Sequence, residues 1–148
     1  MIILSSSACG GKDDPFAPER EYRQHDQMTQ QTDTTMTIKI TAGGKSFSAK
    51  IEDTETGKAF MNLLPLMLKM SELGGNEKYS YGYSLPRKDI RFDSLAAGDL
   101  MLYSGNCIVL FYGPAGGYNY TRIGRLVSAE GLAAALGKSE VSVSFEKE

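Results

Sequence analysis

Asp99-Leu100-Met101-Leu102-Tyr103-Ser104-Gly105-Asn106-Cys107-Ile108-Val109-Leu110-Phe111-Tyr112 is the stretch from which the fold can be read. Two apolar runs flank Ser104-Gly105-Asn106, which is turn chemistry, so the pair predicts a β-hairpin. Neither run alternates apolar with polar residues, so both faces of this hairpin should be covered in the folded chain.

Outward toward the N-terminus, Tyr79, Tyr81 and Tyr83 fall on one face of a short strand that ends near Pro86. Leu66, Leu68 and Met70 alternate with Met67, Lys69 and Ser71 in an earlier strand, and Gly74-Gly75-Asn76 breaks it. Before it, Asp53 or Thr54 can cap a helix that carries Ala59, Phe60, Leu63 and Leu64 on one face and stops at Pro65. Met36–Thr41 and Lys45–Ile51 alternate on either side of Ala42-Gly43-Gly44 and make a first hairpin. Toward the C-terminus, Gly113 to Asn119 reads as a loop and Tyr120 to Val127 as a strand. Ser128 is placed to cap a short helix running through Leu136, with Gly137 at its end. Val141, Val143 and Phe145 alternate in a last strand.

The order is two strands, a helix, five strands, a helix and one strand. That order is similar to the cyclophilin barrel. Phe60-Met61-Asn62-Leu63-Leu64-Pro65-Leu66-Met67-Leu68 followed by Asn76-Glu77-Lys78-Tyr79 resembles the bacterial cyclophilin-like family. So do Gly98-Asp99-Leu100-Met101-Leu102-Tyr103, Val109-Leu110-Phe111-Tyr112 and Tyr118-Asn119-Tyr120-Thr121-Arg122-Ile123-Gly124. The resemblance covers nearly all of residues 36–148. It implies a mostly β fold, a closed eight-stranded antiparallel barrel with two short capping helices. Closure removes the sheet edges that would otherwise invite aggregation. The resemblance carries no reaction with it.

Composition bounds the class. The chain has 148 residues, 41% apolar and 23% charged, with a net charge of −2. These values fit one globular domain and argue against collagen-like, coiled-coil or multi-span membrane classes. The chain lacks the basic balance of a nucleic-acid binder, so no nucleic-acid partner is expected. Two Cys and one His are too few for a disulfide scaffold or a Cys/His zinc site, and neither a metal nor a cofactor is expected.

The head of the chain reads differently. Ser5-Ser6-Ser7-Ala8-Cys9 is similar to a bacterial lipobox, with Cys9 as the lipidated first residue of the mature protein. Lys12-Asp13-Asp14 behind it resembles the export signals of some Gram-negative lipoproteins. Only Ile2-Ile3-Leu4 stands where a signal carries roughly 7–15 apolar residues, and Ser6 stands where Leu is usual. The expectation is that translation starts upstream of Met1. Residues 1–9 then read as a truncated signal remnant and 10–35 as a disordered linker. Between Gly10 and Thr35 the apolar side chains are Phe16, Ala17, Tyr22 and Met28, too few to offset chain entropy. Such a linker would hold the 36–148 domain on the order of 30 Å from a bilayer. The expected location is the cell envelope, as an outer-membrane lipoprotein, with membrane contact through the Cys9 lipid alone. A cytoplasmic protein is the alternative if Cys9 is not a lipobox.

The sequence tests several chemistries and rejects most. Gly43-Gly44-Lys45-Ser46 lacks the upstream Gly of a phosphate-binding loop, since Lys39 stands there, and a strand follows it instead of a helix. His25 lies in the linker, so the domain has no imidazole for a nucleophile–base pair. Cys107, in the most apolar strand, reads as a buried thiol, and Asp99 as a turn carboxylate accepting backbone N–H bonds. Cyclophilins with isomerase activity carry Phe-His-Arg on the strand after the first helix. Here that strand is Leu66-Met67-Leu68-Lys69-Met70-Ser71, and the family's groove Trp and His also have no counterpart.

Seven of the eight Tyr lie between Tyr79 and Tyr120, and rigid amphipathic rings beside flexible glycines suit recognition. A barrel this small fills its interior with side chains, so a ligand is expected on the outer wall or at a rim. Tyr118, Tyr120 and Arg122 alternate beside the Gly113–Gly117 loop and should border one shallow groove, with Arg91 or Phe92 approaching from the other long loop. The expected occupant is an extended peptide or a small polar ligand. The functional reading is a binding or accessory module without isomerase catalysis; a divergent peptidyl-prolyl isomerase is the alternative.

Overall fold

A computed structural model describes residues 36–148. The expectations for the lipobox, Cys9 and the linker lie outside the described residues. The elements within them are β1 (Thr37–Ala42), β2 (Lys45–Ile51), α1 (Glu55–Met61), β3 (Leu66–Leu73), β4 (Glu77–Tyr81), β5 (Ile90–Phe92), β6 (Asp99–Tyr103), β7 (Cys107–Phe111), β8 (Tyr118–Leu126), α2 (Leu132–Leu136) and β9 (Val141–Lys147).

The sheet order is β2-β1-β9-β3-β4-β7-β6-β8, and β2 pairs with β8 to close an eight-stranded antiparallel barrel. The closing register sets Ala49 opposite Leu126 and Ile51 opposite Gly124. A side chain at position 124 would bring a Cβ to 2.4 Å from the Lys50 carbonyl oxygen, so this seam closes because residue 124 has none. Alternation sends Ile38, Ile40, Leu68, Met70, Leu100, Leu102, Ile108, Leu110, Val143 and Phe145 inward, all fully or almost fully buried. Phe60 of α1 meets Phe145 edge to face at 5.6 Å, which seats that helix on the core.

A buried charge network joins β3, β4 and the loop before β9. Lys78 is 0% exposed. Its ammonium donates to Glu72 Oε1 at 2.9 Å and to the Ser139 carbonyl, while the Tyr112 hydroxyl donates to the same Glu72 oxygen at 2.7 Å. Burial acts to raise the Glu72 pKa, but the Lys78 and Tyr112 hydrogen bonds outweigh it and hold the carboxyl below its ordinary value.

Several boundaries differ from the sequence reading. Thr54 caps α1, its hydroxyl accepting from the Gly57 N–H at 3.0 Å. The second helix starts at Leu132, not Ser128. Gly131 sits before it in the left-handed region, φ 82°, and the Ser128 hydroxyl accepts only a 3.3 Å bond from the Glu130 N–H. The strand expected over Tyr79–Tyr83 is Glu77–Tyr81. Beyond it the Gly82 and Leu85 N–H groups donate to Asn106 and Gly105 of the β6–β7 turn, and Tyr83 is carried round to pack on the barrel core. Tyr118 and Asn119, read as loop, belong to β8, because the short β5 pairs with them outside the barrel.

Candidate functional site

Residues that alternate outward on β6, β7 and β8 build a second apolar layer on the outside of the barrel. Met101, Cys107, Val109, Phe111 and Tyr120 form it, with Leu95 from the β5–β6 loop. Tyr120 is its hub. Its ring lies 5.6 Å from Phe111, 5.5 Å from Tyr103 and 6.4 Å from Phe92. The β5–β8 pairing and the Leu95–Ala115 bridge cover one side of this layer. The other side is open.

That open side is a concavity of about 410 Å³. Cys107 and Val109 lie along its β7 side and Tyr79, Tyr81 and Glu77 along β4, with Tyr103, Tyr118 and Tyr120 around the rest. Tyr81 and Tyr118 are 58% and 61% exposed, so their rings stand at the mouth. Tyr79 meets Tyr81 edge to face at 5.8 Å. A volume of this size is within the ordinary range of small-ligand sites.

Two carboxylates near this wall have opposite environments. Asp99 is 2% exposed and accepts from Arg122 at 2.9 Å, Arg125 at 3.0 Å and the Ala96 N–H at 2.9 Å. Burial acts to raise its pKa, but these donors outweigh burial and hold it below its ordinary value. Glu77, on the pocket wall, is pushed upward, first by burial and then by the Glu72 charge. Burial drives the Cys107 thiol to about 11 and the Tyr120 hydroxyl to about 12, with the Glu77 charge adding to both. Cys107 is accordingly a buried, protonated thiol and Asp99 a satisfied structural carboxylate, as their sequence contexts led us to expect.

The structure brings some of the sequence-predicted site residues together and separates others. Tyr118 and Tyr120 do border one concavity, but Tyr120 is only 4% exposed and forms its packed back. Arg122 is not in that concavity. Its guanidinium is drawn to Asp99 and lies over the Phe92 ring at 5.3 Å, and both residues border a different hollow between α1 and β5. Arg91 pairs with Asp93 and lines a smaller hollow that shares Tyr103 and Tyr118 with the tyrosine pocket. The single expected groove is therefore divided by the packing of Phe92 and Tyr120. Tyr103 and Glu77 were missed. Period-2 alternation from Tyr79 and Tyr81 back to Glu77, and from Met101 to Tyr103, was the available signal. Among the described residues no cluster of three or more His, Cys, Asp or Glu could hold a metal ion.

A barrel closed by eight antiparallel strands, with one further strand outside it and two short helices, has the architecture of a cyclophilin-like domain. The chain belongs to the cyclophilin-like family, whose family model matches residues 40–146. Its fold is shared by a hypothetical protein from Archaeoglobus fulgidus, known from a solution structure. That protein is 23% identical with a TM-score of 0.52, over 78% of this chain and 97% of the other. It is also shared by McbB, solved in complex with tryptophan, at 13% identity and a TM-score of 0.55. The McbB match covers 75% of this chain and 44% of McbB. No curated protein sequence matches the chain.

Proposed function

We propose that the domain is a ligand-binding module of the cell envelope that takes a peptide segment or small polar ligand in the tyrosine pocket and performs no prolyl isomerisation. The carrying observation is the pocket itself. Its outer-wall aromatic concavity is continuous with a buried aromatic layer that holds its shape. Prolyl isomerisation by a cyclophilin needs a guanidinium aimed at the prolyl amide, where it lowers a rotation barrier of about 18–20 kcal/mol. Among the described residues neither Arg nor His lines this pocket, and β3 carries neither.

The Ala8-Cys9 junction supports tethering through a lipid on Cys9. Incorporation of labelled palmitate, abolished by Cys9→Ser, tests that part; label retained in the variant overturns it. McbB is known with tryptophan bound, so tryptophan is a natural first probe for this chain, beside short peptides. Tyrosine-ring NMR should show shifts at Tyr81 and Tyr118 that disappear in Tyr118→Ala. A protease-coupled isomerisation assay should show no catalysis. Catalysis abolished by Arg87→Ala or Arg91→Ala, the guanidinium groups of the adjoining hollow, would overturn the binding reading in favour of a divergent isomerase.

A further inference from the structure

Five of the chain's eight tyrosines line the outer-wall pocket: Tyr79, Tyr81, Tyr103, Tyr118 and Tyr120. Glu77 is the one charged side chain among the described residues that line it. We propose that this pocket binds an organic cation, a quaternary or alkyl ammonium head group, with the tyrosine rings as its walls and Glu77 as its counter-charge. The proposal rests on the reading of this pocket as the ligand site.

The rings supply the first half of the chemistry. Aromatic faces carry negative quadrupole potential, and several of them around one space form the cage that recognises ammonium groups. The rings at the mouth are exposed, whereas Tyr120 at the back is held by Phe111, Tyr103 and Phe92. The cage therefore has a rigid back and an open front, and ordering it on binding costs little side-chain entropy.

Glu77 supplies the second half. It is half-buried on β4, and among the described residues no donor engages its carboxylate. The cations around it are committed elsewhere. Lys78, next in the chain, points to the opposite face of β4 and is held by Glu72. Arg87 and Arg91 line the adjoining hollow and are paired with Asp89 and Asp93. Glu72, from β3, is itself paired with Lys78 and Tyr112.

The nature of the occupant follows from the cost of covering this carboxylate. A neutral ligand would strip water from Glu77 and return at most a hydrogen bond, with no opposite charge. An anion would meet Glu77 at close range with no cation among the described lining residues to offset it. An ammonium offsets the desolvation of Glu77 and gains the ring faces as well.

The full-chain protein is titrated with choline and with its neutral isostere 3,3-dimethylbutan-1-ol, with phenol as a neutral aromatic probe. Tyrosine-ring NMR reads the result; the chain has no Trp to obscure it. Choline should shift the Tyr81 and Tyr118 rings, and the isostere should bind about tenfold more weakly. Glu77→Gln should weaken choline about tenfold and leave the isostere unchanged, while Glu77→Asp, which keeps the charge, should retain most of the affinity. Equal binding of choline and isostere, or equal loss in both Glu77 variants, overturns the cation proposal. Shifts of these rings with phenol but not choline overturn it too, and leave the pocket standing as a ligand site. Rings that no probe moves, tryptophan included, overturn the ligand-site reading and the cation proposal together.

Discussion

Asp99 and Glu77 flank the same residue on the outside of the barrel and have opposite chemistry. Glu77 faces Phe111 across the β4–β7 pairing, and the Gly98 N–H, next to Asp99, donates to the Phe111 carbonyl from the other side. Asp99 has two guanidinium groups and a backbone N–H; Glu77 has no donor among the described residues. One carboxylate is part of the scaffold, joining β6 to β8. The other faces a pocket and accepts no side-chain hydrogen bond from the described residues. Neighbouring positions on one wall are thus divided between a carboxylate that holds the fold and one that faces the candidate pocket.

The largest effect should come from breaking the scaffold side. Asp99→Ala leaves Arg122 and the Ala96 N–H without their acceptor. The loss should be about 2–3 kcal/mol, because Arg122 and Arg125 can still turn toward water. Urea unfolding of wild type and variant measures it, and a loss below about 0.5 kcal/mol would erase the contrast with Glu77.

The two carboxylates should also separate by pH. Asp99 has its folded pKa below its ordinary 3.8, so its contribution is present above that value and is lost as pH falls through the folded pKa. Glu77 has its folded pKa above its ordinary 4.5, so the folded state holds its proton more tightly than the unfolded chain does. Its contribution is favourable only while protonated and is lost as pH rises from 4.5 through the folded pKa. Glu77→Gln should therefore match wild type in acid and exceed it at neutral pH. The gain should be on the order of 0.5 kcal/mol, since the pocket mouth admits water. Urea midpoints from pH 3 to 8 test the sign; a variant less stable than wild type at neutral pH would mean that Glu77 has a partner.

Smaller still are the rings at the mouth. Tyr81→Ala and Tyr118→Ala should each change stability by about 0.5 kcal/mol or less, being more than half exposed. Thermal melts check this, and a drop of several degrees would place those rings with the scaffold. Cys107 marks the floor. In a Cys9→Ser background at pH 8, Ellman's reagent should leave the folded domain unmodified and react on unfolding, because the thiol is 3% exposed and pushed up to about 11. Fast native modification would show a floor that opens.

Most of the strands were legible because their signals are local. Alternation over Thr37–Ala42 and Lys45–Ile51, the covered β6–β7 hairpin and the Thr54 cap are each written in a few adjacent residues. The β5 strand left no such trace. Ile90-Arg91-Phe92 is three residues long and exists because Tyr118–Tyr120 offers it an edge. The site was half legible for the same reason. Alternation put Tyr118 and Tyr120 on the outer wall, but whether Arg122 joined them depended on a competitor, Asp99, 23 residues away in the chain.

The closed barrel was implied by the resemblance to the cyclophilin-like family, whereas the residues by themselves determined the strands other than β5, the two helices, the buried thiol at Cys107 and the clustering of tyrosines. Those follow from side-chain period and turn chemistry, which act between near neighbours. Only the tertiary structure decided which tyrosines meet, and that Tyr120 is packed while Tyr81 and Tyr118 stay open. It also decided that Asp99 is saturated with donors and that Glu77 has none among the described residues. These depend on which strands lie side by side, and a carboxylate's charge state is set by whatever the closed barrel brings within a few ångströms of it.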